Sequence, residues 1–328
     1  MNKYNQTLDK NFRDKEKLIQ IPTRNGYGEG LVLAGKENPN VLVLCADLTE
    51  STRSIDFQKE FPKRFIECGI AEQNMMSMAS GLALSGKIPF VSTYAVFSPG
   101  MNWGQIRVNV LQNNANVKIA GAHTGISVGP DGMSHQALED IAILRCLPGI
   151  IILVPCDAIE ARKAVLAAAR CKGAVYLRFA REKTPVFTSE KTPFQIGKAE
   201  ILKKGKDVTI IGCGPLLYEA LLAAEKLEKK GIEAEVINNH TIKPLDEKTI
   251  LASIKKTKVL VTIEEHQIMG GMGSAVVEML AKKFPAPVEM IGVQDRFGES
   301  GEPEELMEKF KLTHPYIIKA VEKVLKRK

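Results

Sequence analysis

Short runs of apolar, often β-branched residues recur along the chain and alternate with stretches of helical periodicity. The runs lie at residues 41–45, 89–92, 117–120, 150–154, 208–211, 234–237 and 259–263. Short apolar runs separated by helical segments predict βα units, and so an α/β fold of two consecutive domains with largely parallel sheets flanked by helices. The rhythm breaks between Arg181 and Lys206, where Pro185, Pro193, Gly197 and Gly205 punctuate a stretch of mixed polarity. A domain boundary belongs there. The expected organisation is an extension at 1–20, a first domain at 21–187, a linker at 188–205 and a second domain at 206–328. Residues 1–17 are polar and mixed in charge, unlike a secretory signal. The longest plainly apolar run, 150–154, falls far short of the roughly 20 residues that a membrane helix needs, so no membrane role is expected.

The length of 328 residues suits two domains with normal cores. With 45% hydrophobic and 25% charged residues, the composition excludes a disordered or collagen-like chain. The formal charge of +7 is partly spent on lysine-rich helices and the tail at 326–328, and does not argue for nucleic acid. Six scattered cysteines form neither a Cys-x-x-Cys pair nor a zinc spacing. They read as reduced thiols of a cytoplasmic protein.

Two glycine-rich turns invite a nucleotide reading. Gly212-Cys213-Gly214-Pro215 follows a strand and opens a helical stretch at 216–230, but the third glycine of the dinucleotide fingerprint is missing. Asn238 and Asn239 stand where an acidic ribose ligand is expected. A tight strand-to-helix turn is the favoured reading. Gly270-Gly271-Met272-Gly273 reads as close backbone packing before a helix, with Glu264, Glu265 and His266 as a polar strand end ahead of it.

The first domain carries denser chemistry. At 3.6 residues per turn, Glu72 falls on the same face as Met75, Met76, Ala79, Leu82 and Ala83. A carboxylate aimed at that apolar stripe must hold a proton or find a donor, and both outcomes suit acid-base work. The alternative is an exposed first-turn glutamate supporting the helix dipole. Tyr94 and Phe97, three residues apart, could sandwich a flat ring or simply belong to the core. After the strand at 117–120 comes a glycine-rich loop, His123-Thr124-Gly125-Ile126-Ser127-Val128-Gly129-Pro130-Asp131-Gly132-Met133-Ser134-His135-Gln136. Open α/β sheets bind ligands at the carboxyl ends of their strands, and here His123, Asp131 and His135 could converge on one small polar molecule. The spacing matches no zinc signature.

Taken together, Gly69-Ile70-Ala71-Glu72-Gln73-Asn74-Met75, Ser92-Thr93-Tyr94-Ala95-Val96-Phe97 and Asp131-Gly132-Met133-Ser134-His135-Gln136 resemble the transketolase family of thiamine diphosphate enzymes. The likeness is specifically to the separate C-terminal subunit of two-chain transketolases. It implies a pyrimidine-binding domain followed by the family's C-terminal domain, whose catalytic role is minor. Glu72 looks like the glutamate at the aminopyrimidine nitrogen, and Tyr94 and Phe97 like the ring-stacking aromatics. Gly100 stands where many members carry a third aromatic. His123, Asp131 and His135 resemble residues that bind a ketose phosphate along its chain, with His135 near the reacting carbons. Arg24 and Ser51 match phosphate-binding positions, and a further arginine is expected at Arg181 rather than Arg178. Asp47 resembles an aspartate near the thiazolium ring.

Family members hold the diphosphate through Mg²⁺ with a Gly-Asp-Gly triplet and a downstream asparagine. That triplet is absent from this chain. The resemblance therefore implies an N-terminal transketolase subunit as partner, carrying the diphosphate and Mg²⁺ ligands, in a dimer of heterodimers. The implied reaction is two-carbon ketol transfer between sugar phosphates. The alternatives are the beta subunit of a 2-oxo-acid dehydrogenase first component, a deoxyxylulose-phosphate-synthase-like half enzyme, and a nucleotide-binding or scaffolding protein using the second domain.

Overall fold

A computed structural model describes residues 3–328. Its strands in chain order begin with β1 (Gln20–Ile21), β2 (Val41–Cys45), β3 (Phe65–Glu67), β4 (Ile88–Tyr94), β5 (Lys118–Ala122), β6 (Ile151–Leu153) and β7 (Val175–Arg178). They continue with β8 (Thr184–Pro185), β9 (Glu200–Lys203), β10 (Val208–Gly212), β11 (Ala234–Asn238), β12 (Thr241–Lys243), β13 (Leu260–Gln267) and β14 (Val288–Val293). Seven of them form one sheet in the order β12-β6-β7-β5-β4-β2-β3, and five form a second in the order β14-β13-β10-β11-β9. Both sheets are parallel except at one edge, where β12 and β9 run antiparallel to their neighbours. Two consecutive α/β units, as expected, make up the chain.

Burial explains the strand signals. All five residues of β2 are buried, as a central parallel strand covered on both faces requires. One face packs Leu42, Leu44, Val91 and Ile119 into a core continuous with Ile211, Ile237 and Met272 of the second unit. The opposite face packs Val41, Val43 and Phe90 against Leu31, Ala161 and Val165. These last three belong to the helices Thr23–Glu37 and Ala158–Arg170. A Cβ at Gly26 would collide with the Ala158 carbonyl, so the helices can meet this closely only with glycine there.

Two expectations change. The stretch 188–205 is not merely a connector, because β9 within it is hydrogen-bonded to β11 of the second sheet. Its mixed polarity suits an edge strand, which needs burial on fewer sides. The extension, too, is docked. Tyr4, Leu8 and Leu18 are buried in the second unit's core, Asn5 N–H donates to Leu202 O at 2.9 Å, and Asp9 N–H donates to Phe187 O at 2.9 Å. A further crossing is β12, which follows the first strands of the second unit yet pairs with β6 in the first sheet. Among the described residues no helix is long and apolar enough to cross a membrane.

Both glycine-rich turns are packing devices. Gly214 takes φ +67°, and a Cβ at Gly212 would press on Ile263 and Leu217. Glu264 accepts from Met272 N–H at 2.6 Å and Gly273 N–H at 2.8 Å, so the N-terminus of the helix Met272–Lys283 is occupied by the protein's own carboxylate.

Candidate functional site

The carboxyl ends of β2, β3, β4, β5 and β7 lie side by side in the first sheet, and each leads into one part of the site. Beyond β2 come Asp47 and Ser51, beyond β3 Glu72, at the end of β4 Tyr94 and Phe97, beyond β5 His123, and beyond β7 Arg181. Arg24 joins them from the start of the helix Thr23–Glu37. Thr23 Oγ1 accepts from Ala180 N–H at 2.8 Å, pinning that helix start to the end of β7.

The helix Glu72–Leu84 opens with Glu72 itself, which is 7% exposed. Of the two sequence readings, the buried one holds: Met75, Met76, Ala79 and Ala83 share its face and are buried. Asn102 Nδ2 donates to the Glu72 carbonyl at 3.2 Å and to Ser98 Oγ at 3.1 Å. The helix start is thereby tied to the turn that carries the aromatic pair.

Tyr94 and Phe97 are stacked at 5.8 Å between centroids and 23° between planes. A ring held between them would need about 7 Å, two stacking distances. They therefore form a shared wall rather than the two sides of a sandwich. His123 stacks on Tyr94 at 3.8 Å, and His135 meets both aromatics edge-on at 5.8 Å. A Cβ at Gly100 would collide with the Val96 carbonyl, so the turn is closed to any third aromatic at that position.

His123 is buried, takes φ +56°, and its Nδ1 has no hydrogen-bond partner. Burial, reinforced by the positive Arg24 and Arg181 and by His135, pushes its pKa down to about 3, so the ring is neutral at ordinary pH. His135 Nδ1 lies 2.9 Å from Ser134 Oγ. Asp131 is exposed at the end of the 3-10 segment Ile126–Asp131, which is kinked at Gly129, and its carbonyl accepts from Ser134 Oγ at 3.4 Å.

Arg24 Nη1 donates to the Ser51 carbonyl at 2.9 Å, while its Nε is buried without a partner. Burial and the neighbouring Arg181 charge hold its pKa below the usual arginine range. Two guanidinium groups that repel each other are stabilised by an anion between them. Arg181 is half-buried and donates to Val128 O at 2.8 Å. Arg178 points elsewhere: it is 5% exposed and ion-paired with Asp140 at 2.8 Å.

Asp47 is exposed with φ +57°. Its loop is organised by Glu67, which sequence reasoning missed. Glu67 accepts from the N–H groups of Asp47 at 2.8 Å and Gly69 at 3.0 Å, and from Thr49 Oγ1 at 2.9 Å. A lone glutamate closing a three-residue strand carries no signal in the sequence.

A cavity of about 710 Å³ lies where the extension, Ser127 and Glu182 of the first unit, and Glu265, Tyr218 and His314 of the second meet. None of the candidate residues lines it. Glu72, Tyr94 and His123 are buried, Arg24, Ser51, Phe97, His135 and Arg181 are half-buried, and Asp47 and Asp131 are exposed. Among the described residues no group of three or more His, Cys, Asp or Glu side chains is arranged to hold a metal ion.

Residues 19–186 match the pyrimidine-binding domain of transketolase, and residues 197–317 match the transketolase C-terminal domain. The chain belongs to the transketolase family. It is 44% identical over 308 residues to a putative transketolase C-terminal section of Methanocaldococcus jannaschii, spanning 93% of this chain and 96% of that protein. A 6-deoxy-6-sulfo-D-fructose transketolase subunit of Clostridium sp. (strain MSTE9) is 39% identical over 312 residues, 95% of this chain and 97% of the subunit. Among solved structures, a split-gene transketolase described as an inactive beta4 tetramer superposes with a TM-score of 0.88 at 46% identity, covering 93% of this chain and 99% of that one. Membership of the transketolase family implies dependence on thiamine diphosphate.

Proposed function

We propose that this chain is the C-terminal subunit of a two-chain transketolase, transferring a two-carbon ketol unit from a ketose phosphate to an aldose phosphate. The observation that carries the reading is the shape of the site. The carboxyl ends of neighbouring strands gather a buried carboxyl, a stacked aromatic pair, a neutral histidine and two neighbouring arginines. An N-terminal subunit would supply the Mg²⁺ and diphosphate contacts. Ile70, Leu84 and Met101 are 80%, 62% and 59% exposed at and beside the Glu72 helix, exposed apolar side chains that such a partner would cover. The solved relative that contains beta chains alone is described as inactive, which supports the same division of labour in a dimer of heterodimers.

Thiamine diphosphate, when bound, supplies the thiazolium carbon that carries the two-carbon fragment between sugars. The residues present fit its organic ring. Glu72 would hold or share a proton at the pyrimidine nitrogen from a site shielded from water, Tyr94 and Phe97 would give the ring a flat wall, and Asp47 would face the thiazolium side. His123 would offer its unpartnered Nδ1 to a sugar hydroxyl, Asp131 would accept from another, and His135 would stand near the reacting carbons. Arg24, Arg181 and Ser51 would hold the terminal anion.

Replacing Arg24 by alanine should raise KM for phosphorylated ketoses about 10- to 100-fold, the worth of a charge-assisted hydrogen bond, and leave kcat nearly unchanged. Steady-state kinetics of the reconstituted complex would show this. Equal loss with an unphosphorylated ketose would remove the phosphate assignment. A sulfonate presents a similar anion, and the similarity to a sulfofructose transketolase subunit makes a sulfonated ketose the second donor to assay.

A further inference from the structure

The C-terminal domain carries none of the candidate site residues, yet it grips the loop that presents three of them. The Glu265 carboxylate on β13 reaches out of its own domain and accepts from Ser127 N–H at 2.5 Å, within the 3-10 helix Ile126–Asp131. Glu265 is 5% exposed, and Gly125, at φ +85°, allows its close approach because a Cβ there would collide with the carboxylate. From the other side, Gln136 Nε2 donates to Ile126 O at 3.1 Å within the loop and to Glu299 O at 3.0 Å in the C-terminal domain. A Cβ at Gly298 would collide with Gln136 Oε1, and one at Gly129 would lie 2.9 Å from Pro303. The loop is thus held at its start, middle and end, with His123 before the first anchor and Asp131 and His135 between the later ones.

We propose that Glu265 is a positioning residue of the C-terminal domain, fixing Ser127 so that His123, Asp131 and His135 keep their places around the sugar. The proposal rests on the substrate reading above. Glu265 serves as a hydrogen-bond acceptor, a role that a glutamine oxygen fills at the same length. Burial pushes the Glu265 pKa up, so a neutral group is at ease in that position. Truncation to alanine instead leaves Ser127 N–H without its acceptor and frees the loop.

The test uses the complex reconstituted with its N-terminal subunit. In Glu265→Ala, KM for both sugar phosphates should rise about tenfold or more while thiamine diphosphate affinity stays at the wild-type value. Glu265→Gln should lie within about twofold of wild type. Gly298→Ala, which disturbs Gln136 and leaves Glu265 intact, should also raise KM. Amide hydrogen exchange gives a readout independent of activity: exchange across 125–136 should quicken in Glu265→Ala and not in Glu265→Gln. Unchanged exchange in that segment, or sugar KM and cofactor affinity worsening in parallel, would overturn the positioning role. A wild-type complex without ketol transfer would instead overturn the substrate reading, and the exchange arm would still decide the placement of the loop.

Discussion

Replacing Glu72 by glutamine should lower kcat of the reconstituted two-chain complex about 10²- to 10⁴-fold, the usual worth of a placed acid-base group. Secondary structure and assembly should be unaffected. Glutamine keeps the volume of a side chain packed on the face of Met75, Met76 and Ala79, so the helix core is undisturbed. In the proposed role, what it loses is the proton that a carboxyl would hold or give up at the cofactor's ring nitrogen. Circular dichroism and sedimentation would confirm the fold, and a single-turnover assay would isolate the chemical step. Activity within a factor of a few of wild type would remove Glu72 from proton transfer.

The largest effect on stability is expected at Asp140. Its carboxylate accepts from Tyr176 Oη at 2.7 Å and from Arg178 Nε at 2.8 Å, and all three side chains are buried. Burial alone would push the Asp140 pKa up, but Arg178, His266 and the hydrogen bonds outweigh it and hold it below the usual carboxylate range. The stabilisation is therefore fully present above the unfolded-state pKa and is lost as pH falls through the folded one. Asp140→Ala leaves a guanidinium buried and unpaired, a change that costs about 3–5 kcal/mol. The same guanidinium donates to Ala137 O at 3.2 Å and Glu265 O at 3.0 Å, so it joins the end of the glycine-rich loop at 123–136 to the C-terminal domain. Denaturant unfolding should show a lower midpoint, and replacing Asp140 and Arg178 together by leucine and methionine should recover much of the loss. A single-variant midpoint within experimental scatter of wild type would contradict the role given to this pair.

Legibility followed burial in most strands, although β7, buried at all four positions, is marked by no run because it is short and ends in Arg178. The apolar run 41–45 coincides with β2 because a strand covered on both faces must be apolar at every position. β3, β9 and β12 are shorter or lie at sheet edges, where polar residues are tolerated, and no run marks them. Glu72 was readable because helical periodicity states which face a residue occupies. The roles of Glu67 and Glu265 were not, because each depends on a partner brought in by tertiary contact, 20 and 138 residues away respectively. The choice between Arg178 and Arg181 illustrates the same limit. Both sit near the end of one strand, and only the Asp140 partner, placed by the helix Asp140–Arg145, shows that Arg178 is committed to the core. The sequence suggests that Tyr94 and Phe97 could sandwich a ring, but a spacing of three residues does not report the ring-to-ring distance, and 5.8 Å leaves no room between them.

The decisive measurement is two-carbon transfer from a ketose phosphate, with thiamine diphosphate and Mg²⁺ present, by this chain alone and by this chain mixed with an N-terminal subunit carrying Gly-Asp-Gly. Turnover should be undetectable in the first sample and should rise in the second to a plateau at one-to-one stoichiometry. Full activity of the isolated chain, or a mixture that forms a complex yet transfers nothing, would contradict a site divided between two polypeptides.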